Sequence, residues 1–532
     1  MTRASLRRFL FACAAALAIF VLIGVRGRGQ RPGESPTLLY PYSLPAIDRG
    51  LSTVEGPEPV RRAAATRARF VAPIDRVGRA GVPYTPGQVL VKFRDGTSTA
   101  VRLNSVARVS AAGTVSERPS YANFDVLNID ANADAESVAD ALRERPDVEY
   151  AQPSYRMFKR FVPNDQFYQT AQWNLRLIDM ERAWDLQPSA GSAITVAVLD
   201  TGIAFENAVL QFTGDPFVDD LGNQHSALGT IAIPFAAAPD LIAPGRIVAP
   251  RDFVFNGVHP VDLDGHGTHV AGTLGELTNN GMGLAGVAFN VKIMPVKVIG
   301  GDWDGIFGAS DLGSDATVAR GIRYAADNGA KVINLSVARN GPPAPAVEDA
   351  MRYAIGKGVF IAVAGGNSFE HGNPVEVLAE IASRVQGAIS VAAVDSTKNH
   401  AYYSSTGNWV EIAAPGGAYR DFGVAGAVFQ QTLDLAFGLC LVEPDACGTR
   451  PSFDPPRFDA FNYFGFVGTS MATPHVAGLA ALLMQQGITD PAAIEAAIKH
   501  FATDLGAPGR DEVFGFGLIN ARDTLRGLGL AK

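Results

Sequence analysis

The sequence predicts an α/β fold, a doubly wound and mostly parallel sheet, with a small α+β domain in front of it. Two observations carry this. Between residues 194 and 394 short runs of β-branched and small apolar residues recur, with helical segments between them. Strands that are apolar on both faces and alternate with helices belong to a parallel sheet covered on both sides. Ahead of them, from Gln88, two strands, an amphipathic helix and a closing strand follow one another within about 70 residues, the size of one small domain.

The chain opens with Arg3, Arg7 and Arg8 before an uncharged apolar run, Phe9 to Val25, closed by Arg26 and Arg28. A positive flank before an apolar core is the pattern of an export signal, so residues 1–29 read as a signal peptide or a membrane anchor. The run is slightly short for a spanning helix and no clean small-x-small cleavage site follows it. Both readings stay open, and membrane contact through residues 9–25 belongs to the second. Residues 30–86, rich in Pro and Arg without a sustained period, read as a linker.

The small domain is placed at 87–158. Gln88–Phe93 and Phe124–Ile129 read as strands, Ala135–Arg145 puts Val138, Ala141 and Leu142 at helical spacing, and Val148–Ala151 closes it. The larger domain is placed at 164–525. Its strands are Ile194–Leu199, Val291–Ile299, Val332–Leu335, Val359–Ala364 and Ala388–Val394, with helices over Asp315–Asn328 and Ala346–Lys357. Ligands of such sheets bind beyond the carboxyl ends of the strands, and Asp200 and Asn367 both follow strand ends.

Composition bounds the partners. The chain has 532 residues, of which 47% are hydrophobic and 18% charged, the balance of a soluble protein with a large core. Residues 1–86 hold 13 Arg and five acidic side chains, a net +8, which leaves −16 for the rest. An acidic main body excludes nucleic acid as partner, because phosphate binding needs a basic surface. Of three cysteines, Cys13 lies in the apolar run. Cys440 and Cys447 are consistent with one local disulfide in an exported protein or with two free thiols, and no His nearby makes them a metal site.

Three polar signals stand out from this frame. Val198-Leu199-Asp200-Thr201-Gly202 puts an acid at a strand end before a Gly turn. Asp264-Gly265-His266-Gly267-Thr268-His269 puts a His at a helix start. Gly468-Thr469-Ser470 opens an apolar helix in Phe466–Met484. Hydrolysis of a peptide bond by a serine needs a nucleophile, a base to take its proton and an acid to hold the base's tautomer. Ser470, His266 and Asp200 supply these types. His269 and His475 read as structural, and Asp262 and Asp264 as tuning the base or solvating their loop, the second being preferred.

The order Asp–His–Ser and these local sequences resemble the subtilisin-like serine proteases over roughly residues 164–525, including Phe514–Asn520. The resemblance implies a subtilisin-like fold, catalytic Asp200, His266 and Ser470, and an oxyanion formed between the Ser470 N–H and the amide of Asn367, in Ala364-Gly365-Gly366-Asn367. It implies a substrate cleft lined by Ser336-Val337-Ala338 and by Gly365 and Gly366. Val and Ala stand where the family often has Leu and Gly. It further implies a calcium loop over Leu277–Leu284, with the Asn280 side chain, carbonyls of Thr278, Met282 and Leu284, and Asp165. The acid usual shortly after the catalytic Asp is missing, since Asn207-Ala208-Val209 stands there.

The domain at 87–158 resembles the family's inhibitory propeptides, which implies a ferredoxin-like fold and a processing junction between about Tyr155 and Asp165. The expected function is thus a self-processing serine endopeptidase, secreted or periplasmic, or anchored by its N-terminal segment. Its partners are polypeptide substrates and its own propeptide. A non-catalytic scaffold on the same fold would have lost one of the four site residues, and an esterase on this chemistry would be distinguished only by its substrate, the chain having no Gly-x-Ser-x-Gly elbow. Two inserts, at about 211–250 and 418–462, would form a cleft wall or a lid or be passive surface decoration, and the last reading is preferred.

Overall fold

The computed structural model describes residues 84–110, 113–115, 118, 121–155, 161–219, 222–420, 422–434 and 457–527. The apolar run at 9–25 and all three cysteines, including Cys440 and Cys447, lie outside them. Among the described residues no helix is long and apolar enough to cross a membrane. The chain divides into two compact units at residues 160–161.

The first unit contains β1 (Tyr84–Phe93), a helix Thr99–Val109, β2 (Thr114–Val115), β3 (Asp125–Asn128), a helix Ala135–Arg143 and β4 (Val148–Tyr155). The sheet is antiparallel in the order β2-β3-β1-β4, the ferredoxin-like arrangement expected. Alternate residues of β1, namely Val89, Val91 and Phe93, join Leu127, Leu142 and Val148 in its own core. The helix Thr99–Val109 is not legible in the sequence, because its buried side is only Ser105 and Val106. That stripe is too narrow to mark a period.

The second unit is built on β5 (Thr195–Asp200). After it β6 (Ala208–Gly214), β7 (Phe217–Val218), β8 (Gln224–His225) and β9 (Gly229–Phe235) fold back as nested antiparallel ribbons. The main sheet continues with β10 (Arg251–Asp252), β11 (Lys292–Lys297), β12 (Val332–Leu335), β13 (Phe360–Ala364), β14 (Ala388–Val394) and β15 (Ile412–Pro415). All seven strands are parallel, in the order β10-β11-β5-β12-β13-β14-β15. Val196 and Val198 pack into one core with the helix Thr469–Gln485, while Ala197 and Leu199 pack into another with the helices Asp315–Asp327 and Pro345–Gly356. One strand with a two-residue period thus feeds both layers. The chain leaves β5 for β11 and returns past it to β12, so the winding reverses at β5 and opens a crevice at its carboxyl end. Asp200 stands there.

The inserts are not decoration. Phe235 of β9 stacks on Phe458 at 5.6 Å, Phe212 lies 4.7 Å from Phe307, and Trp303 lies 6.3 Å from Phe458. An antiparallel pair, β16 (Val428–Leu433) and β17 (Phe461–Phe466), packs on the helix His266–Gly275. Local sequence could not show this, since these aromatic partners lie far apart in the chain.

Candidate active site

Asp200 closes β5 and is fully buried. Its Oδ1 accepts the N–H of Thr201 at 2.8 Å and stands 2.6 Å from His266 Nδ1. His266 opens its helix, and the loop before it is clamped by Asp262, which is 1% exposed. One oxygen of Asp262 accepts Thr201 Oγ1 at 2.9 Å, Asp264 N at 3.1 Å and Gly265 N at 2.9 Å; the other accepts Thr268 N at 2.9 Å and Thr268 Oγ1 at 2.5 Å. The expectation that Asp262 solvates its loop is corrected: the carboxylate is the hub that ties the end of β5 to the His266 helix. Asp264 is half-buried and accepts the His266 N–H at 3.0 Å. Burial and the charge of Asp262 push it up to about 7. Burial by itself lowers the His266 imidazole, but the charge and hydrogen bond of Asp200, with Asp264 and Asp262 behind, outweigh it and raise the ring to about 9.

Ser470 is the second residue of the helix Thr469–Gln485, whose apolar sequence is buried almost throughout. Its Oγ donates to the carbonyl of Ser336 at 3.2 Å, and its own carbonyl accepts Ser336 Oγ at 2.9 Å. The second bond has a local cause. Pro474, four residues on, has no N–H to give that carbonyl, so a side chain supplies the donor. Ser336 Oγ is fixed in turn by Asn334 Nδ2 at 2.9 Å. Ser336 directly follows Leu335, which is paired with Leu199, so Ser336 and Asp200 sit at the same level on neighbouring strands about 4.8 Å apart. His266 and Ser470 are therefore each tied to the same rim, through Asp200 and Ser336 at the ends of adjacent strands. Among the described residues no hydrogen bond joins Ser470 Oγ to His266.

Asn367 follows β13. Its Oδ1 accepts Thr469 N at 2.8 Å and Thr469 Oγ1 at 2.9 Å, which leaves Nδ2 on the opposite side. Thr469 Oγ1 also accepts Gly366 N at 3.2 Å, so this threonine locks the end of β13 to the start of the serine helix. A Cβ on Gly468 would stand 3.6 Å from Ser470 N and 3.7 Å from Asn367 Nδ2. The missing side chain leaves open the space between two donors. Of the expected cleft residues, Ser336 and Val337 are buried and Ala338 is exposed, while Gly365 and Gly366 lie in the buried strand end beside Asn367.

His269 and His475 are structural, as expected. His269 Nε2 faces the carbonyls of Val428 and Phe464, each at 3.1 Å, and His475 lies 2.9 Å from both Asn174 Nδ2 and the Met471 carbonyl. Burial pushes the first down to about 3 and the second to about 4, so both are neutral.

Around the loop 277–284 Asp165 is buried, with its carboxylate on the amides of Asn279 (2.8 Å) and Asn280 (3.3 Å). Buried Asp240 accepts Asn280 Nδ2 at 2.7 Å and Leu284 N at 3.1 Å. Burial, with the charge of Asp165 adding to it, raises Asp240 to about 7. Glu276 is fully buried, and its Oε2 has no hydrogen-bond partner. Burial and the charge of Asp240 raise it well above the usual carboxylate range. Hard oxygen donors that repel one another in the interior fit a calcium ion, although no cluster of three His, Cys, Asp or Glu among the described residues forms a ready cage.

Residues 191–517 match the subtilase family, Peptidase S8, and residues 73–154 match the fervidolysin N-terminal prodomain. A thermophilic serine proteinase of Bacillus sp. (strain AK1) is 31% identical over 83% of this chain and 88% of its own length. An extracellular protease of Xanthomonas campestris pv. campestris is 30% identical over 73% of this chain and 61% of its own. Among solved structures, a protease from Pseudoalteromonas arctica PAMC 21717 superposes with a TM-score of 0.50 at 26% identity, covering 69% of this chain and 99% of that one. The chain belongs to the subtilase family and is a serine-type endopeptidase with an N-terminal prodomain.

Proposed function

We propose that the protein cleaves polypeptides through Ser470, His266 and Asp200, with Asn367 and the Ser470 N–H as oxyanion donors. The supporting observation is the 2.6 Å bond from His266 to a buried Asp200, one strand away from the residue that holds Ser470. In this reading the Ser470 hydroxyl turns from the Ser336 carbonyl to His266 Nε2 when substrate binds; such bonds are often unformed without substrate. His266 accepts the hydroxyl proton as Oγ attacks the carbonyl carbon. Asp200 keeps the other ring nitrogen protonated and stabilises the imidazolium. The oxyanion forms in the space at Gly468, between the two donors. His266 then gives its proton to the leaving amine, and water releases the acyl group by the same steps in reverse.

Domain boundaries and processing follow the same reading. Phe161 N donates to Asp185 at 2.9 Å, and Asn164 Oδ1 accepts Gly281 N at 2.9 Å, so the chain from Phe161 onward is tied into the larger unit. The cut that frees the enzyme from its propeptide therefore falls between Tyr155 and Phe161, and Ser470 makes it. The arginine-flanked apolar run at 9–25 and the extracellular relative support export, as a secreted or periplasmic enzyme or one held by that segment. Calcium, where bound, is held by Asp240, Asn280 and carbonyls of the loop 277–284, with Asp165 shaping the loop. It neutralises buried negative charge and stiffens the segment that begins the mature chain.

The test is a diverse peptide library incubated with purified protein, with and without a serine-directed phosphonate, beside Ser470→Ala. Phosphonate-sensitive cleavage and an unprocessed Ser470→Ala precursor are expected. Normal self-trimming by the isolated variant overturns the assignment.

A further inference from the structure

We propose that Glu376 selects a lysine or arginine side chain on the residue whose carbonyl is attacked. This rests on the reading of Ser470 as nucleophile and Asn367 as oxyanion donor. With the scissile carbonyl between those groups, the side chain of its residue must leave the reaction centre through the gap flanked by Ser336–Ala338 and Gly365–Asn367. The two segments run side by side as β12 and β13 and then part. Gly365 N continues pairing towards β14 through the Val391 carbonyl at 2.8 Å. On the other side Asn340 bridges to Glu376, and Val377 N reaches the Arg339 carbonyl at 3.0 Å. Glu376 closes the far end of the split.

Its side chain points back along that split. A Cβ on Gly366 would collide with Glu376 Cγ and stand 2.7 Å from Oε1, so the residue beside the oxyanion donor lacks a side chain where the stem of the acid passes. The carboxylate is 2% exposed and touches only uncharged donors. Ser368 Oγ lies 3.3 Å from Oε1, and the Asn340 amide, with its nitrogen towards the acid, lies 2.9 Å from Oε1 and 3.0 Å from Oε2. Among the described residues no cation pairs with it; nearby Arg339 is taken by Asp315 at 2.7 and 2.8 Å. Burial accordingly pushes Glu376 up to about 7. A buried carboxylate without a counter-charge, beside the reaction centre, is satisfied by a cation that arrives with the substrate.

The experiment compares kcat/KM on matched peptides carrying Lys, Arg, Leu, Phe or Glu at that position, for the wild type, Glu376→Gln and Gly366→Ala. Phosphonate labelling of Ser470 confirms that each variant is folded and competent. In the wild type Lys and Arg are expected to exceed Leu by about 100-fold, and both variants to lose most of that ratio, chiefly through KM. A wild type that cleaves after Leu or Phe as well as after Lys, or a ratio unchanged in Glu376→Gln, overturns the assignment and leaves Glu376 a buried acid at the start of its helix. No cleavage of any peptide and no labelling would instead bring down the reading of Ser470 on which it stands.

Discussion

The carbonyl of Ser470 accepts the hydroxyl of Ser336 at 2.9 Å because Pro474 has no N–H to offer it. A proline in the first turns of a buried helix thus becomes the device that fastens Ser470, the proposed nucleophile, to the neighbouring strand end. Ser336→Ala should leave a buried carbonyl without a donor and cost about 1–2 kcal/mol of stability, read by denaturant unfolding of the mature enzyme. It should also lower kcat more than it raises KM, since the backbone that carries Ser470 would lose its tie to the end of β12.

Asn367 is oriented by Thr469, whose N–H and hydroxyl both hold its Oδ1. Asn367→Ala should lower kcat by about 10²–10³, the range observed when a subtilisin loses such a donor, with little change in KM. Thr469→Val keeps the N–H contact and removes the hydroxyl, so a smaller loss, about tenfold, is expected. Steady-state kinetics on one peptide separates the two.

In the proposed mechanism the neutral form of His266 is the base, and its imidazolium is held up to about 9. Below that pH most of the enzyme carries a proton already and cannot take one from Ser470. The rate should therefore climb about tenfold per pH unit and level off near pH 9. Asp264 sits at about 7, so it is ionised across the upper part of this range and favours the charged ring. Asp264→Asn should move the inflection of kcat/KM to lower pH, by about one pH unit. An unmoved inflection would mean that Asp200 and Asp262 alone set it.

Asp240 and Glu276 repel each other in the interior, and a divalent cation would relieve that repulsion. Added calcium should raise Tm and a chelator should lower it. In Asp240→Asn the calcium dependence should shrink, with weaker binding by titration calorimetry. Calcium binding of wild-type strength in Asp240→Asn would exclude this residue as a ligand.

The sequence alone determined five of the seven strands of the main sheet and the four polar residues at the rim. Ala388–Val394 and Val332–Leu335 have the bounds their apolar runs suggest. Asp200, His266, Asn367 and Ser470 are legible because each stands at the end or start of an element, where a polar residue interrupts an apolar pattern. What surrounds them was decided by tertiary structure. Ser336 reaches Ser470 across 134 positions and Asp240 reaches Gln431 across 191, and no local period records such pairings. Asp262 reads in one dimension as a loop acid, and Glu376 as a polar residue before a helix. Only the folded chain shows one satisfied by five donors and the other buried without a charge to meet it. The physical reason is that burial and charge pairing belong to the assembled sheet rim, whereas periodicity belongs to the segment.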